Sequence, residues 1–209
     1  SCPDCSGDVV FLDEALDLGT KRVRDEFPCP HCGTTLTKRR MDILYDVTVD
    51  SARGVPHRRL VRRPVLINYS IGKSRYEKRP DAGDLHVAAQ VDLLPLPAQA
   101  PAAELPFMHM THQRQRLDTY GITHLHHFFL PRPAQALAAI WMKACSTKDS
   151  RLRSSLLFFV EQALWTGSVL NRFRPTGYSQ VSQYLSGVYY VPSQIAEVSP
   201  WYVLCGKLK

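Results

Sequence analysis

Four of the six cysteines in this 209-residue chain are arranged as two Cys-x-x-Cys pairs. Cys2 and Cys5 form the first pair, and Cys29 and Cys32 form the second pair after 23 intervening residues. Two thiolates at this spacing can face one metal ion, whereas a disulfide across two residues is strained. The pattern predicts a tetrahedral four-cysteine zinc site. Because sulfur fills every coordination position, such a site is structural and not catalytic.

The residues beside each pair favour the turns of a zinc ribbon. Gly33 follows Cys32 directly, and Gly7 lies in the matching stretch after Cys5, so backbone N–H groups can point at sulfur. Free thiolates imply a reducing compartment, and a cytoplasmic location is expected. The other two cysteines have no partner at ligand spacing and are expected to be buried apolar side chains; they are Cys145 and Cys205.

Two histidine-rich stretches offer further ligands. His109 and His112 lie in the first, and His124, His126 and His127 lie in the second. Imidazole can bind a metal or act as a general base. No carboxylate at a suitable spacing completes a catalytic set, so packing or backbone hydrogen bonding is favoured, and a second metal site stays open as an alternative.

Basic residues are concentrated in two parts of the chain, whose formal net charge is +7. Residues 46–80 contain nine Lys or Arg against three acidic residues, and residues 131–209 have the same counts. Lys and Arg can neutralise phosphates while tyrosine stacks or donates a hydrogen bond, although a solvated basic face is the simpler alternative. The residues predicted to contact DNA are Arg62, Arg63, Lys73, Arg75, Tyr76, Lys78, Arg79, Arg172 and Arg174.

The elements that must position these residues follow from turn residues and hydrophobic periodicity. Proline at position 133 or 200 fits the first turn of a helix, and four prolines within residues 93–106 oppose regular structure there. The expected strands are residues 9–12, a second one before Cys29, 43–49 and 187–192. The expected helices are residues 133–144, residues 151–165 and a last helix from Pro200 with Ser199 as N-cap, and a basic loop is expected at 171–178.

These elements predict an α+β fold in four segments. They are a four-cysteine zinc ribbon at 1–45, an irregular basic middle segment at 46–92, a proline-rich connector at 93–106 and a mainly helical part with a short strand at 107–209. The composition, with 44% hydrophobic and 22% charged residues, is typical of globular proteins. No apolar run approaches the 18 residues of a membrane span, so no membrane partner is expected.

Four blocks of the sequence resemble, in order, the middle of large zinc-ribbon-containing bacterial DNA methyltransferases of the N6-adenine/N4-cytosine class. The blocks are the two cysteine pairs, residues 73–81 (KSRYEKRPD), residues 120–129 (YGITHLHHFF) and residues 185–193 (LSGVYYVPS). The resemblance spans nearly the whole chain. It implies a parent enzyme that transfers a methyl group from S-adenosylmethionine to an exocyclic amine of a flipped-out base.

The chemistry of that family is absent from this sequence. It contains no Gly-x-Gly turn for the methyl donor and no Pro-Pro pair, and the stretch Ser199-Pro200-Trp201-Tyr202 lacks the second proline of the catalytic loop. The resemblance therefore implies an insertion that recognises duplex DNA, binds structural zinc and does not methylate alone. S-adenosylmethionine belongs to the parent protein, and the rest of the methyltransferase chain is an expected partner.

Three alternatives stay open. The chain is a free-standing zinc-ribbon adaptor for protein or RNA, a brace of the methyltransferase core that never contacts DNA, or an enzyme that uses a metal at His124, His126 and His127. Because the first ligand, Cys2, follows a single residue, we expect an excised fragment in which Ser1 derives from a tag.

Overall fold

The computed structural model of this chain describes residues 1–113, 116–180 and 189–208. They form a mixture of helices and two-stranded sheets, so the predicted α+β class is confirmed. The helices of this part are α1 (Phe11–Ala15), α2 (Ala82–Asp92), α3 (Pro131–Cys145), α4 (Ser150–Glu161), α5 (Leu164–Gly167) and α6 (Pro200–Lys207). A π-helical turn at His109–Gln113 and 3₁₀ turns at Leu117–Tyr120 and Leu125–Phe128 complete the helical set.

Each strand pairs with its neighbour in sequence, so all the described sheets are local hairpins. The strands are β1 (Leu16–Asp17), β2 (Arg22–Val23), β3 (Glu26–Pro28), β4 (Thr35–Thr37), β5 (Tyr45–Asp50), β6 (Val55–Leu60), β7 (Ile67–Ile71), β8 (Ser74–Lys78), β9 (Arg172–Arg174) and β10 (Tyr178–Gln180).

The chain divides into two compact units. The first consists of Ser1–Val47 and Arg58–Gln90, and the second consists of Thr48–His57 and Val91–Lys209. The four-segment division remains a prediction. Among the described residues, no helix is both long enough and apolar enough to cross a membrane.

The first unit has a small core built around the cysteines. Phe27 on β3 pairs in register with Leu36 on β4, and both side chains are fully buried. The Phe11 ring meets the Phe27 ring edge to face, with centroids 5.5 Å apart. Cys2 and Cys29 belong to the same buried cluster, so the core and the cysteine site are one structure.

One local prediction for the first unit is wrong. Residues 11–12, expected in a strand, begin α1, whose first turn contains Asp13 and Glu14 and therefore suits a helix N-terminus. The segment expected to be basic, with β and irregular structure, contains the β5–β6 and β7–β8 hairpins and α2. Gly54 and Gly72, with φ of 68° and 60°, supply the left-handed turns that close these hairpins.

The second unit contains two buried apolar clusters. The smaller cluster joins Leu137 of α3, Ala163 and Leu204 of α6. The larger cluster consists of Leu105, Leu117, Ile122, Phe128, Val169, Leu170 and Val191. The predicted helices are confirmed at α3 and at α6, which begins at Pro200; the predicted 151–165 helix ends at Glu161, and α5 is separate.

Three further predictions are corrected in the second unit. The basic loop expected at 171–178 contains β9 and the start of β10, which pair antiparallel with Arg174 opposite Tyr178. Residues 189–192 carry no strand, and the remainder of the expected 187–192 strand lies outside the described residues, as do residues 185–188 of the fourth resemblance block. Cys145 is exposed and Cys205 is half-buried, so neither is a core side chain.

Candidate metal centre and nucleic-acid surface

The four N-terminal cysteines converge on one point. Cys2 Sγ lies 3.9 Å from Cys32 Sγ, and Cys5 Sγ lies 3.8 Å from Cys29 Sγ. A tetrahedral zinc ion with Zn–S bonds of about 2.3 Å separates its sulfur ligands by about 3.8 Å. A disulfide requires about 2.0 Å. The four sulfur atoms are therefore placed to bind one metal ion.

The two cysteine pairs lie in loops with equivalent hydrogen bonds. The Ser6 N–H donates to the Cys2 carbonyl, and the Gly33 N–H donates to the Cys29 carbonyl, both at 2.9 Å. Ser6 and Gly33 occupy the same position after the second cysteine of each pair, and both are left-handed, with φ of 58° and 74°. The shared shape predicted from the sequence is confirmed at the level of the backbone.

Backbone N–H groups point at the sulfur atoms. Burial alone would raise the pKa of Cys29, but hydrogen bonds from the N–H groups of Cys32 and His31 lower it to about 6. The Gly7 N–H donates to the Cys5 sulfur, yet burial and the neighbouring thiols raise the pKa of Cys5 to about 12. Four thiolates so close together repel one another, and a central cation removes that repulsion.

An ion-pair network fastens the first cysteine loop to the second. The Arg40 guanidinium donates to both carboxylate oxygens of Asp4, at 3.0 and 2.9 Å. The Thr34 hydroxyl donates to the same carboxylate at 2.8 Å, and Arg40 also donates to the Thr35 carbonyl at 3.0 Å. Asp4 thus connects the loop that holds Cys5 to the segment that enters β4.

The β7–β8 hairpin contains four of the residues predicted to contact DNA, namely Lys73, Arg75, Tyr76 and Lys78. Tyr69 and Tyr76 are directly opposed in register, and their rings stack at 5.6 Å while remaining 38% and 44% exposed. Lys73 lies in the turn and Arg75 lies on β8, and both are exposed. We call this hairpin, residues 67–78, the basic ribbon.

Several predicted DNA contacts in the first unit are already engaged with carboxylates. Their partners are Asp8 for Arg63, Asp13 for Arg79, and Asp81 together with Asp84 for Lys78. The Lys78 distances, 2.9 and 2.7 Å, are those of close ion pairs. Arg62 is half-buried. In the second unit, Arg172 and Arg174 lie on β9 with exposed side chains.

The second unit contains a buried cluster of one carboxylate and two imidazoles, of which the sequence indicated only the imidazoles. Asp50 Oδ2 lies 3.0 Å from Nε2 of His126 and 3.2 Å from Nε2 of His127. All three side chains are at most 7% exposed. Asp50 precedes His126 by 76 positions, so only the folded chain reveals it as the missing carboxylate.

The environment of this cluster fixes its charges. Burial alone would raise the pKa of Asp50, but hydrogen bonds with His126 and His127 lower it to about 2. Burial, helped by the neighbouring His57 and His126, lowers the pKa of His127 to about 4. The His57 ring stacks on the His127 ring with centroids 3.9 Å apart. Asp50 is therefore ionised and His127 neutral at pH 7.

The remaining histidines singled out by sequence are engaged locally. His124 Nδ1 lies 2.9 Å from the Thr123 hydroxyl, and burial lowers the pKa of this ring. His112 Nδ1 lies 2.7 Å from the Thr111 hydroxyl. His109 Nδ1 lies 2.8 Å from the Gln113 side-chain oxygen. The sequence grouped His124 with His126 and His127. In the structure Asp50 is the shared partner of His126 and His127, and His124 is not part of that ligand group.

Comparisons with known proteins assign no family to the chain. No family model matches it, no curated protein matches it, and no solved structure matches it. Its function must be inferred from its own residues.

Proposed function

We propose that this chain is a zinc-stabilised DNA-recognition segment of a methyltransferase that uses S-adenosylmethionine. The basic ribbon carries the proposal for DNA, because it exposes stacked tyrosines beside Lys73 and Arg75. The sulfur distances and the N–H groups aimed at sulfur support zinc. The parent enzyme is supported by the four resembling sequence blocks alone, and it would supply the methyl donor site and the catalytic loop.

The zinc would have a structural role. With four sulfur ligands no coordination position remains for water or substrate. Cys2 and Cys29 lie in the same buried cluster as Phe27 and Leu36, so an ion there would hold the core of the first unit together. Binding energy at such a site contributes directly to folding.

A two-stranded β-ribbon can enter the major groove of duplex DNA, and the basic ribbon is a hairpin of this kind. Lys73 and Arg75 would contact phosphates, and Tyr76 would stack or donate a hydrogen bond. Lys78, Arg79 and Arg63 would make a smaller contribution to DNA binding despite their ion pairs. Exposed ion pairs contribute little to stability, so phosphates can displace the carboxylates at small cost.

The test is binding of the purified chain to fluorescent duplex DNA by anisotropy across a salt series. We expect the K73A/R75A variant to bind more weakly, with a log–log salt slope smaller by about 2, because each phosphate contact contributes about 0.9 to that slope. The matched control K143A/K148A removes the same charge from two exposed lysines in the second unit and is expected to bind like the wild type.

Equal losses of DNA affinity in both variants would show that the net charge of the chain, and not specific contacts of the basic ribbon, determines binding. Failure of the wild-type chain to bind duplex DNA at low salt, with one zinc retained, would reject DNA recognition altogether. Binding that is lost when a chelator removes the zinc is the expected companion result.

A protein-docking role is the second candidate, because large apolar side chains are exposed in the second unit. Phe107, Phe158 and Trp201 are 81%, 67% and 72% exposed. Exposed apolar side chains mark a protein interaction site where they form a continuous patch. If the chain captures the rest of the methyltransferase in a zinc-dependent way and has no affinity for DNA, it is a structural brace of the methyltransferase core. If it captures an unrelated protein or RNA, it is a free-standing zinc-ribbon adaptor.

A further inference from the structure

We propose that Asp50, His126 and His127 form a second metal site, which binds a divalent transition metal such as Zn²⁺ through one carboxylate and two imidazoles. The site lies in the second unit and shares no residue with the cysteine site. It does not rest on the proposed role in DNA recognition.

The spacing of the ligand atoms supports the site. The two Nε2 atoms lie 3.0 and 3.2 Å from the same Asp50 oxygen, and all three ligand atoms are within 4.8 Å of one another. Metal–ligand bonds of about 2.0–2.1 Å in a tetrahedron place neighbouring ligands about 3.3 Å apart. Only a slight widening of the cluster is needed to admit an ion.

The surrounding groups hold the ligands in place. The Ala52 N–H donates to the Asp50 Oδ1 at 3.0 Å, which leaves Oδ2 for the ion. The Thr123 and His124 N–H groups donate to His127 Nδ1 at 3.2 and 3.3 Å and hold the ring so that Nε2 faces Asp50.

The ligand set also distinguishes this site from the cysteine site. Two imidazoles and one carboxylate suit zinc and other borderline metals, whereas four thiolates select softer ions. Three protein ligands leave a coordination position for water or an exogenous ligand, as in catalytic metal sites. The chain therefore carries one closed structural site and one open site.

Cobalt(II) titration of the metal-free wild-type chain separates the two sites by their spectra. We expect two equivalents to bind. One equivalent gives the intense charge-transfer absorption of cobalt thiolate, and the other gives only the weak d–d bands of nitrogen and oxygen ligands. Saturation after a single thiolate-bound equivalent, with no weak-band phase, would overturn the proposal.

Zinc content of purified variants gives an independent measurement. We expect two zinc ions per chain in the wild type and one in the Asp50→Asn and His126→Asn variants, with the thiolate spectrum retained in both. The control His109→Ala/His112→Ala removes two histidines outside the cluster and should keep two zinc ions. Loss of the second ion in the control but not in the cluster variants would assign the ion to His109 and His112 and reject the site.

Discussion

Ser6 adopts a backbone conformation that glycine adopts at the equivalent position of the second cysteine loop. Ser6 has φ of 58° and Gly33 has φ of 74°, and a Cβ atom added to Gly33 would meet nothing within 4 Å. A non-glycine residue in the left-handed region costs about 1 kcal/mol. We predict that Ser6→Gly raises the free energy of unfolding of the zinc-loaded chain by about 0.5 kcal/mol, after the greater freedom of glycine in the unfolded chain is subtracted. Urea denaturation measures the change.

Two variants separate this conformational effect from the loss of the hydroxyl. Ser6→Ala keeps the strained backbone and should give no gain. Gly33→Ala introduces the strain without a steric clash and should lower the free energy of unfolding by about 1 kcal/mol. Equal stabilisation by Ser6→Gly and Ser6→Ala would show that the hydroxyl, and not the backbone angle, determines the effect.

Helix α2 depends on its N-terminal cap, because none of its residues is buried. The Asp84 N–H donates to the Asp81 side chain at 2.9 Å, and the Asp81 N–H donates to the Asp84 side chain at 3.0 Å, a reciprocal capping box. Lys78 and the Asp84 N–H hold the pKa of Asp81 below its usual range. We predict that Asp81→Ala increases hydrogen exchange of the α2 amides about fivefold.

The control for this prediction is Asp81→Asn, which retains the capping oxygen but removes the charge beside Lys78. Asn caps helices about as well as Asp, so exchange in α2 should stay near the wild-type rate. Equally fast exchange in both variants would show that the ion pair between Lys78 and Asp81, and not the cap, stabilises α2.

The elements differ in how far the sequence determines them. α3 and α6 begin with a proline in the first turn and were predictable, because that signal is local. The α1 region and the β9–β10 hairpin were mispredicted, because short apolar or basic runs of three to five residues fit several conformations. Tertiary packing then decides, and a single sequence does not display it.

At the scale of the whole molecule, the two candidate metal sites show the same contrast. Two residues separate Cys29 from Cys32, and this spacing alone predicted that the cysteine sulfur atoms lie close together, as they do in the structure. Asp50 reaches His126 across 76 positions, through the turn between β5 and β6. No local sequence pattern indicates a contact between residues so far apart, so Asp50 could not be predicted as the partner of the histidines.

The last prediction concerns the separate cores of the two units. Structural zinc contributes about 10–16 kcal/mol in small metal-binding domains, as much as the whole stability of a typical domain. The buried cluster around Phe27 includes two of the four cysteines, whereas the cluster around Leu137 and Leu204 includes none. We therefore predict that Cys29→Ser/Cys32→Ser abolishes hydrogen-exchange protection in β3 and β4 but preserves it in α3 and α4.

Exchange measured by mass spectrometry resolves the two units peptide by peptide. The control Cys145→Ser/Cys205→Ser removes the same number of thiols from positions that are exposed and half-buried, and it should leave protection in β3 and β4 unchanged. Simultaneous loss of protection in β4 and α4 of the Cys29→Ser/Cys32→Ser variant would mean that the chain unfolds as one cooperative body. The zinc site would then stabilise the whole chain, and its role would extend beyond holding the basic ribbon's own unit in a folded state.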